Sequence, residues 1–169
     1  NVLLSNNQFD VEVRNAGSST VTGFEIESSF LVSPELELYG SVGFSDTEFQ
    51  DFEALINGEL SDFSGNEFQG AAPWTVSAGL TWNALDGWFF KANANWLSAA
   101  FPLSASNQIE RLLEERLLVN FKGGWQGQQW GFFVTGENVF DDEFFRNLFP
   151  ILEGADTTRP PDYGVISPP

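Results

Sequence analysis

Two kinds of connector alternate along this chain, and they constrain its fold more than any compositional figure does. Stretches of alternating apolar and polar residues are joined in turn by tight links and by long, polar, acidic ones. The tight links are Ser33-Pro34-Glu35, Ala84-Leu85-Asp86-Gly87 and Gln126-Gly127-Gln128; the long ones span about residues 46–72, 98–111 and 141–160. Alternation with a period of two marks β-strands. Consecutive antiparallel strands reverse direction, so alternating connectors gather the short turns on one edge of a sheet and the long loops on the other.

The strands are read as follows. Residues 20–32 put Thr22, Phe24, Ile26, Phe30 and Val32 on one face and Gly23, Glu25, Glu27 and Ser29 on the other. After the Ser33-Pro34-Glu35 turn, Leu36, Leu38, Val42 and Phe44 oppose Glu37, Tyr39, Ser41 and Ser45. Trp74, Val76, Ala78, Leu80 and Trp82 alternate with Thr and Ser, and Trp88, Phe90, Ala92, Ala94 and Trp96 with Lys91, Asn93 and Asn95. Leu117, Val119 and Phe121 interleave with Arg116, Asn120 and Lys122, and Trp130, Phe132 and Val134 open a further strand. Val2-Leu3-Leu4 and Tyr163-Gly164-Val165 read as strand stubs, the first pointing to one more strand upstream. The segment Ile109 to Leu118 carries Arg111, Glu114, Glu115 and Arg116 at helix-compatible spacing, and is read as loop leading into strand.

Composition narrows the function. The chain of 169 residues has no Cys, Met or His, which removes disulfides, Cys/His metal sites and histidine-based catalysis. Its 24 acidic against 7 basic residues give a formal charge of −17 and argue against nucleic acid as a partner. Mean hydropathy is −0.14, and no run approaches the ~18 apolar residues of a membrane-spanning helix. A barrel strand, however, needs only about 9–11 residues with every second one apolar. Asn1 in place of an initiator Met points to a mature segment or a fragment.

The aromatic residues favour a membrane. There are 18 Phe and 6 Trp, heavy for a soluble acidic domain. Trp82 and Trp88 flank one short turn, Trp125 and Trp130 another, while Trp74 and Trp96 sit at the opposite strand ends. Eight residues of extended chain from Trp74 to Trp82 cover roughly 26 Å, or about 20 Å of height once tilted, near the roughly 25 Å apolar band of outer-membrane barrels. Indoles prefer such interfaces, with the ring in lipid and the N–H in the headgroups. A soluble β-sandwich binding module is the rival reading, burying the same faces against a second sheet. The ionisable residues in mid-strand and the terminal tryptophans weigh against it. The expected fold is therefore all-β, an antiparallel transmembrane barrel segment of about 6–8 strands, with short periplasmic turns and long extracellular loops.

Four motifs, in order and spacing, carry a resemblance to a known family. Asn15-Ala16-Gly17 with Gly23-Phe24-Glu25-Ile26-Glu27 resembles the opening of a late barrel strand of TonB-dependent outer-membrane receptors. Ala71-Ala72-Pro73-Trp74 resembles that family's re-entry after an extracellular loop, and Glu137-Asn138-Val139-Phe140-Asp141-Asp142-Glu143-Phe144 its "NLFD..Y" segment. Tyr163-Gly164-Val165 is similar to the start of its closing strand. The resemblance implies the C-terminal portion of a 22-stranded barrel over residues 1–169, in the bacterial outer membrane. It also implies active uptake of a scarce large solute (ferric siderophore, cobalamin or oligosaccharide). The plug domain and the segment that contacts the energy-coupling protein TonB are expected outside this sequence. The ending Val165-Ile166-Ser167-Pro168-Pro169 departs from the aromatic-terminated closing strand of the family, since prolines cannot donate to a ladder.

Candidate sites follow from these faces. Glu25, Glu27, Lys91, Asn93, Asn95, Arg116, Asn120 and Lys122 are expected to face the lumen and the plug. Trp74, Trp82, Trp88, Trp96, Trp125 and Trp130 are the expected membrane girdle. Glu48, Asp51, Phe52, Glu53, Phe63, Arg111 and Arg146 are candidates for ligand-binding loops. Asp46, Glu48, Asp51, Glu53, Glu59, Asp62 and Glu67 attract cations, including those that bridge to lipopolysaccharide, but lack calcium-loop spacing, so neither a metal site nor a cofactor is expected. Phe49, Phe52, Phe63 and Phe68 either stack on a ligand or pack the loop against itself. Paired carboxylates (Glu25 with Glu27, Asp141 with Asp142) have no nucleophile or pocket, so the chain is read as non-enzymatic. Outer-membrane lipid, lipopolysaccharide, the plug, TonB and a small to medium solute are the expected partners. A plug-less porin-like channel or adhesin is the alternative within the membrane.

Overall fold

A computed structural model describes residues 2–7, 10–14, 17–56, 59–103, 108, 111, 113–144, 148–151 and 162–165. Among them are twelve strands, in chain order β1 (Val2–Asn7), β2 (Asp10–Arg14), β3 (Ser18–Ser33), β4 (Leu36–Asp51), β5 (Glu53–Ile56), β6 (Glu59–Asp62), β7 (Trp74–Asn83), β8 (Trp88–Leu97), β9 (Arg116–Gln126), β10 (Gly131–Gly136), β11 (Leu148–Ile151) and β12 (Asp162–Val165). Six of them form one antiparallel sheet in the order β10-β9-β8-β7-β4-β3, an up-and-down meander. β1 pairs with β2, β5 with β6 and β11 with β12, each as a separate two-stranded sheet.

Register turns the alternation of each strand into two continuous surfaces. Residues opposite each other in an antiparallel pair lie on the same face. One row runs Phe24, Phe44, Trp74; the next, Ile26, Val42, Val76, Trp96, Leu117; and another joins Leu36, Trp82 and Phe90. Trp88 lies opposite Trp125, and Trp125 opposite Phe132. The side chains that alternate as apolar along each strand thus merge into one apolar surface crossing the whole sheet. Asp46, opposite Thr22, has the same parity as Phe44 and marks where that surface stops.

This surface is open. Phe24, Ile26 and Phe30 are 50%, 59% and 65% exposed, and Trp74, Trp82 and Trp88 are 41%, 40% and 49% exposed. β3 is exposed on both faces for nearly its full length. No second sheet covers the apolar side among the described residues, as the rival sandwich reading would require. An apolar surface of this extent needs a membrane or another protein against it. Its rings gather at its two ends. Phe24, Phe44 and Trp74 cluster at the long-loop end, with centroids 4.8–6.0 Å apart. Trp125 and Trp130 (4.7 Å) and Trp88 and Phe132 (5.7 Å) cluster at the short-turn end.

The buried core lies elsewhere, beyond the long-loop end. Phe49, Phe52 and Ala54 form it, with Phe63 and Phe68 packed on them. Ala100 and Leu113 form a second small cluster against Ala72. This region corrects the expected boundaries. Residues 46–51 are strand, because β4 stays paired with β3 to Asp51, past the last β7 partner at Phe44. The returning segment then lies along the exposed edge of β4: Ser45 N donates to Pro73 O, and Phe49 N to Asn66 O, both at 2.9 Å. Main-chain pairing thus carries the strand beyond the point where its apolar alternation stops. Likewise residues 148–151 of the expected third loop are strand.

The short turns are tightly made. Ser33 Oγ accepts from Glu35 N at 3.2 Å, closing the two-residue link between β3 and β4. Gly87 adopts a φ of 86°, and a Cβ there would meet Gln126 O at 2.4 Å. Both the left-handed backbone and the neighbouring turn therefore demand glycine. In the full-length protein, Gly87→Val is expected to lower the thermal midpoint in detergent by several degrees, for a cost of ~2 kcal/mol or more. Leu85→Ser, at a 92% exposed position of the same turn, is expected to leave it unchanged.

Candidate functional site

The face opposite the tryptophans is polar, and the register fixes its layout. Glu25, Gly43, Thr75, Leu97 and Arg116 form one row across the sheet. Glu27, Ser41, Ser77, Asn95 and Leu118 form the next. Asn93 lies opposite Asn120, and Lys91 opposite Lys122. All eight residues expected to face the lumen therefore lie together on this polar face, and Trp74, Trp82, Trp88, Trp96 and Trp125 have the opposite parity. Trp130 precedes β10, and its ring contacts those of Trp125 and Phe132.

Charge on this face is separated laterally. The carboxylates Glu25, Glu27 and Glu37 lie on β3 and β4, whereas Lys91, Arg116 and Lys122 lie on β8 and β9. Between them are neutral side chains. Ser41 and Ser77 hydroxyls are 2.7 Å apart, and Tyr39 lies over Gly79 so closely that a Cβ there would fall 2.4 Å from the ring. Glu27, Ser29, Tyr39, Ser41 and Ser77 line a shallow depression of about 360 Å³.

An uncharged amide chain stiffens the β8–β9 side. Asn95 Nδ2 and Asn120 Nδ2 both donate to Asn93 Oδ1, at 3.2 and 3.0 Å. Asn120 Oδ1 accepts from Asn138 N at 2.9 Å. The Asn138 amide in turn exchanges hydrogen bonds with the main chain of Asp142, whose carboxylate accepts from Leu117 N at 2.6 Å. Asn138 and Asp141 have φ values of 46° and 54°, a left-handed bend that Asn and Asp tolerate best. The bend folds residues 138–142 over the edge of β9 that the short β10 leaves unpaired, and Val139 N donates to Val119 O there. The role of Asn138 is a positional one that strand alternation does not reveal.

The outer loops converge above the long-loop end. Glu48, Asp51 and Glu53 are exposed, as their candidate role requires. Phe52 is not available to a ligand: it is 1% exposed and packs within 4.8 Å of Phe49 and 5.9 Å of Phe63. Phe63 is half-buried in the same cluster. The aromatic residues of this loop fold it on itself, because rings this close gain more from one another than from water. Arg146 lies outside the described residues.

Arg111 and Gln108 tie this loop to the next one. Arg111 forms an ion pair with Glu67 and lies over the Phe101 ring at 4.8 Å. Gln108 Oε1 accepts from Glu67 N at 2.7 Å, while its Nε2 donates to the carbonyls of Glu67 and Leu103 at 3.0 Å. Gln108 carried no sequence signal, since a bridging amide in a polar loop looks like any other. Further out, Ser64 donates its hydroxyl and main-chain N–H to Asp62, which lowers the Asp62 pKa below the ordinary carboxylate range. A lowered folded-state pKa means this bonding is intact above the ordinary carboxylate range and is lost as acidification passes through the lowered value.

Among the described residues no group of His, Cys, Asp and Glu is arranged to hold a metal ion. In the full-length protein, Gln108→Ala is expected to speed amide hydrogen exchange at Glu67 by about tenfold, the effect of one lost buried hydrogen bond. Exchange within β7 and β8 should not change, and unaltered exchange at Glu67 would mean that the two loops are not coupled.

The comparisons with known proteins agree with this geometry. Among solved structures, the siderophore receptor PiuA from Acinetobacter baumannii is similar in fold, with a TM-score of 0.65 at 14% sequence identity. The alignment covers 76% of this chain but 19% of that receptor, so the chain spans a minor part of its relative's length. A family model described as "TonB dependent receptor-like, beta-barrel" matches residues 1–139. The chain therefore belongs to the TonB-dependent receptor-like β-barrel family.

Proposed function

We propose that this chain is the C-terminal part of the barrel of an outer-membrane receptor that takes up a scarce, large solute, supplying barrel wall and outer loops. The observation that carries this reading is the pair of opposed sheet faces. One is continuous, apolar, exposed and edged by aromatic residues; the other is polar and fixed by amide and hydroxyl bonds. Lipid, with lipopolysaccharide in the outer leaflet, covers the first face. The second face lines a lumen filled by a plug domain that lies outside residues 1–169. Pulling on that plug by the TonB energy-coupling system admits the solute, and the work of this chain is binding and gating with no covalent step.

A ferric siderophore is the first solute to test, because the structural relative is a siderophore receptor. Cobalamin and oligosaccharides follow. In this reading the exposed carboxylates Glu48, Asp51 and Glu53 meet the solute or its counter-ions at the outer surface. Arg111, held by Glu67 and Phe101, acts by fixing the loops.

Two measurements test the proposal. Cells expressing the full-length protein are expected to accumulate a labelled ferric siderophore, cobalamin or oligosaccharide only while the inner membrane is energised. Uptake that persists without energy would favour a plug-less channel instead. Separately, Ala78→Lys, midway between Trp74 and Trp82 on the apolar face, is expected to cost ~2–4 kcal/mol and to reduce outer-membrane yield sharply. Thr75→Lys, on the polar face of the same strand, is expected to be tolerated; equal loss from both would sink the assignment of the lipid face.

A further inference from the structure

Alternation forbids a strand to slip by one residue, because its apolar groups would cross to the polar side. It does not forbid a slip by two, which returns every side chain to its own face. A tight link forbids that slip by its length. β3–β4 and β7–β8 are joined in this way, through Ser33-Pro34-Glu35 and the Gly87 turn. β4–β7 and β8–β9 are joined instead by long connectors, residues 52–73 and 98–115. Connectors of that length absorb two residues at little entropic cost, so some other feature has to fix the register of these two pairs.

Both pairs carry an aromatic ring laid over a glycine of the partner strand. Tyr39 of β4 is the register partner of Gly79 of β7, and a Cβ on Gly79 would overlap the ring. Phe90 of β8 is the partner of Gly123 of β9, where a Cβ would come within 3.0 Å of the ring. A further case lies on β9–β10, where Phe121 covers its partner Gly136 at the end remote from their turn. At the tightly linked β3–β4 the arrangement differs. Gly23, Gly40 and Gly43 have main chain or the Thr75 hydroxyl as their nearest neighbours.

Each pair selects one register. With β7 displaced by two residues, Tyr39 would lie opposite Ser77 or Thr81, whose side chains would occupy the space of the ring. The same displacement of β9 would set Phe90 against Phe121 or Trp125. Crowding of that kind is destabilising. The glycine left bare would also lose the cover that offsets its weakness in a strand.

We propose that Tyr39 and Phe90, each laid over its glycine, are the register-determining residues of the two strand pairs whose connectors are long. Tyr39 acts on the polar face and Phe90 on the apolar one, so the device works whatever covers either face. It requires only the sheet, and no solute or further domain.

Paired cysteines in the full-length protein, inserted in the outer membrane and treated with a mild oxidant, read the register directly. Opposed residues fall within disulfide reach, and diagonal ones, about 7–8 Å apart, do not. This chain adds no cysteine of its own. Ser41→Cys with Ser77→Cys reports the observed register. Ser41→Cys with Thr75→Cys, and Glu37→Cys with Asn83→Cys, report slips in the two directions. Only the first pair is expected to close in the otherwise unaltered protein. Tyr39→Ala is expected to raise the ratio of slipped to native links about tenfold, as the crowding that opposes the slip disappears. Tyr39→Phe, which keeps the ring, should leave the ratio unchanged. So should Phe44→Ala, which removes a ring whose partners are Phe24 and Trp74. Phe90→Ala is read in the same way, with Asn95→Cys paired to Leu118→Cys for the observed register and to Arg116→Cys or Asn120→Cys for the slips. Exclusively native links in inserted Tyr39→Ala and Phe90→Ala proteins would overturn the proposal. Where alanine prevents insertion, Tyr39→Leu and Phe90→Leu keep bulk and lose the ring; links as native as those of Tyr39→Phe would overturn it equally.

Discussion

Register is the constraint on which the rest of this structure depends. A strand has a side-chain period of two, so displacing any strand by one residue would carry all its apolar groups to the polar side. In a sheet buried on one face, a core penalises that error. Here both faces of the six-stranded sheet are open, and the penalty must come from the surroundings of each face. The tight links supply part of the specification. Two residues between β3 and β4, and the Gly87 turn between β7 and β8, leave little room for slippage. Thirteen aligned residue pairs between β3 and β4, from Ser19 with Phe49 to Leu31 with Glu37, then extend the same parity past the apolar band.

Different forces hold the two ends of the molecule. Along the wall, main-chain ladders and cross-strand pairs dominate, and large side chains remain exposed. At the outer end, an aromatic cluster around Phe52 is buried in the manner of a small soluble domain. β4 joins these regimes: residues up to Phe44 pair on both sides within the sheet, and residues beyond it pair with β3 and the returning loop. The outer loops are consequently a packed extension of the wall.

Much of the wall was legible in the sequence, because alternation is a local signal and the register repeats it. Each face assignment for Glu25, Lys91, Asn120 and the strand tryptophans needed only parity along one strand. Long-range pairing was less legible. That β4 continues to Asp51 depends on β3 and on the segment ending at Pro73, neither adjacent to it in sequence. The burial of Phe52 depends on Phe49 and Phe63, and an aromatic residue among acids reads equally well as exposed. Gln108 and Asn138 were illegible in their roles because each works through main-chain partners that no residue pattern encodes. The local turn chemistry, in contrast, was readable at Ser33 and Gly87.

The amide chain through Asn95, Asn93, Asn120 and Asn138 has a consequence for how the protein meets its environment. Carboxamides neither titrate nor attract a counter-ion atmosphere, so this part of the wall keeps its bonding in acid, in brine and in fresh water alike. The tie between Arg111 and Glu67 is ionic and partly open to solvent, where salt screens it. A change of salinity would thus loosen the tie between these two loops while the amide-bonded part of the sheet kept its bonds. Sensitivity to salt at this ion pair therefore does not extend to the amide chain.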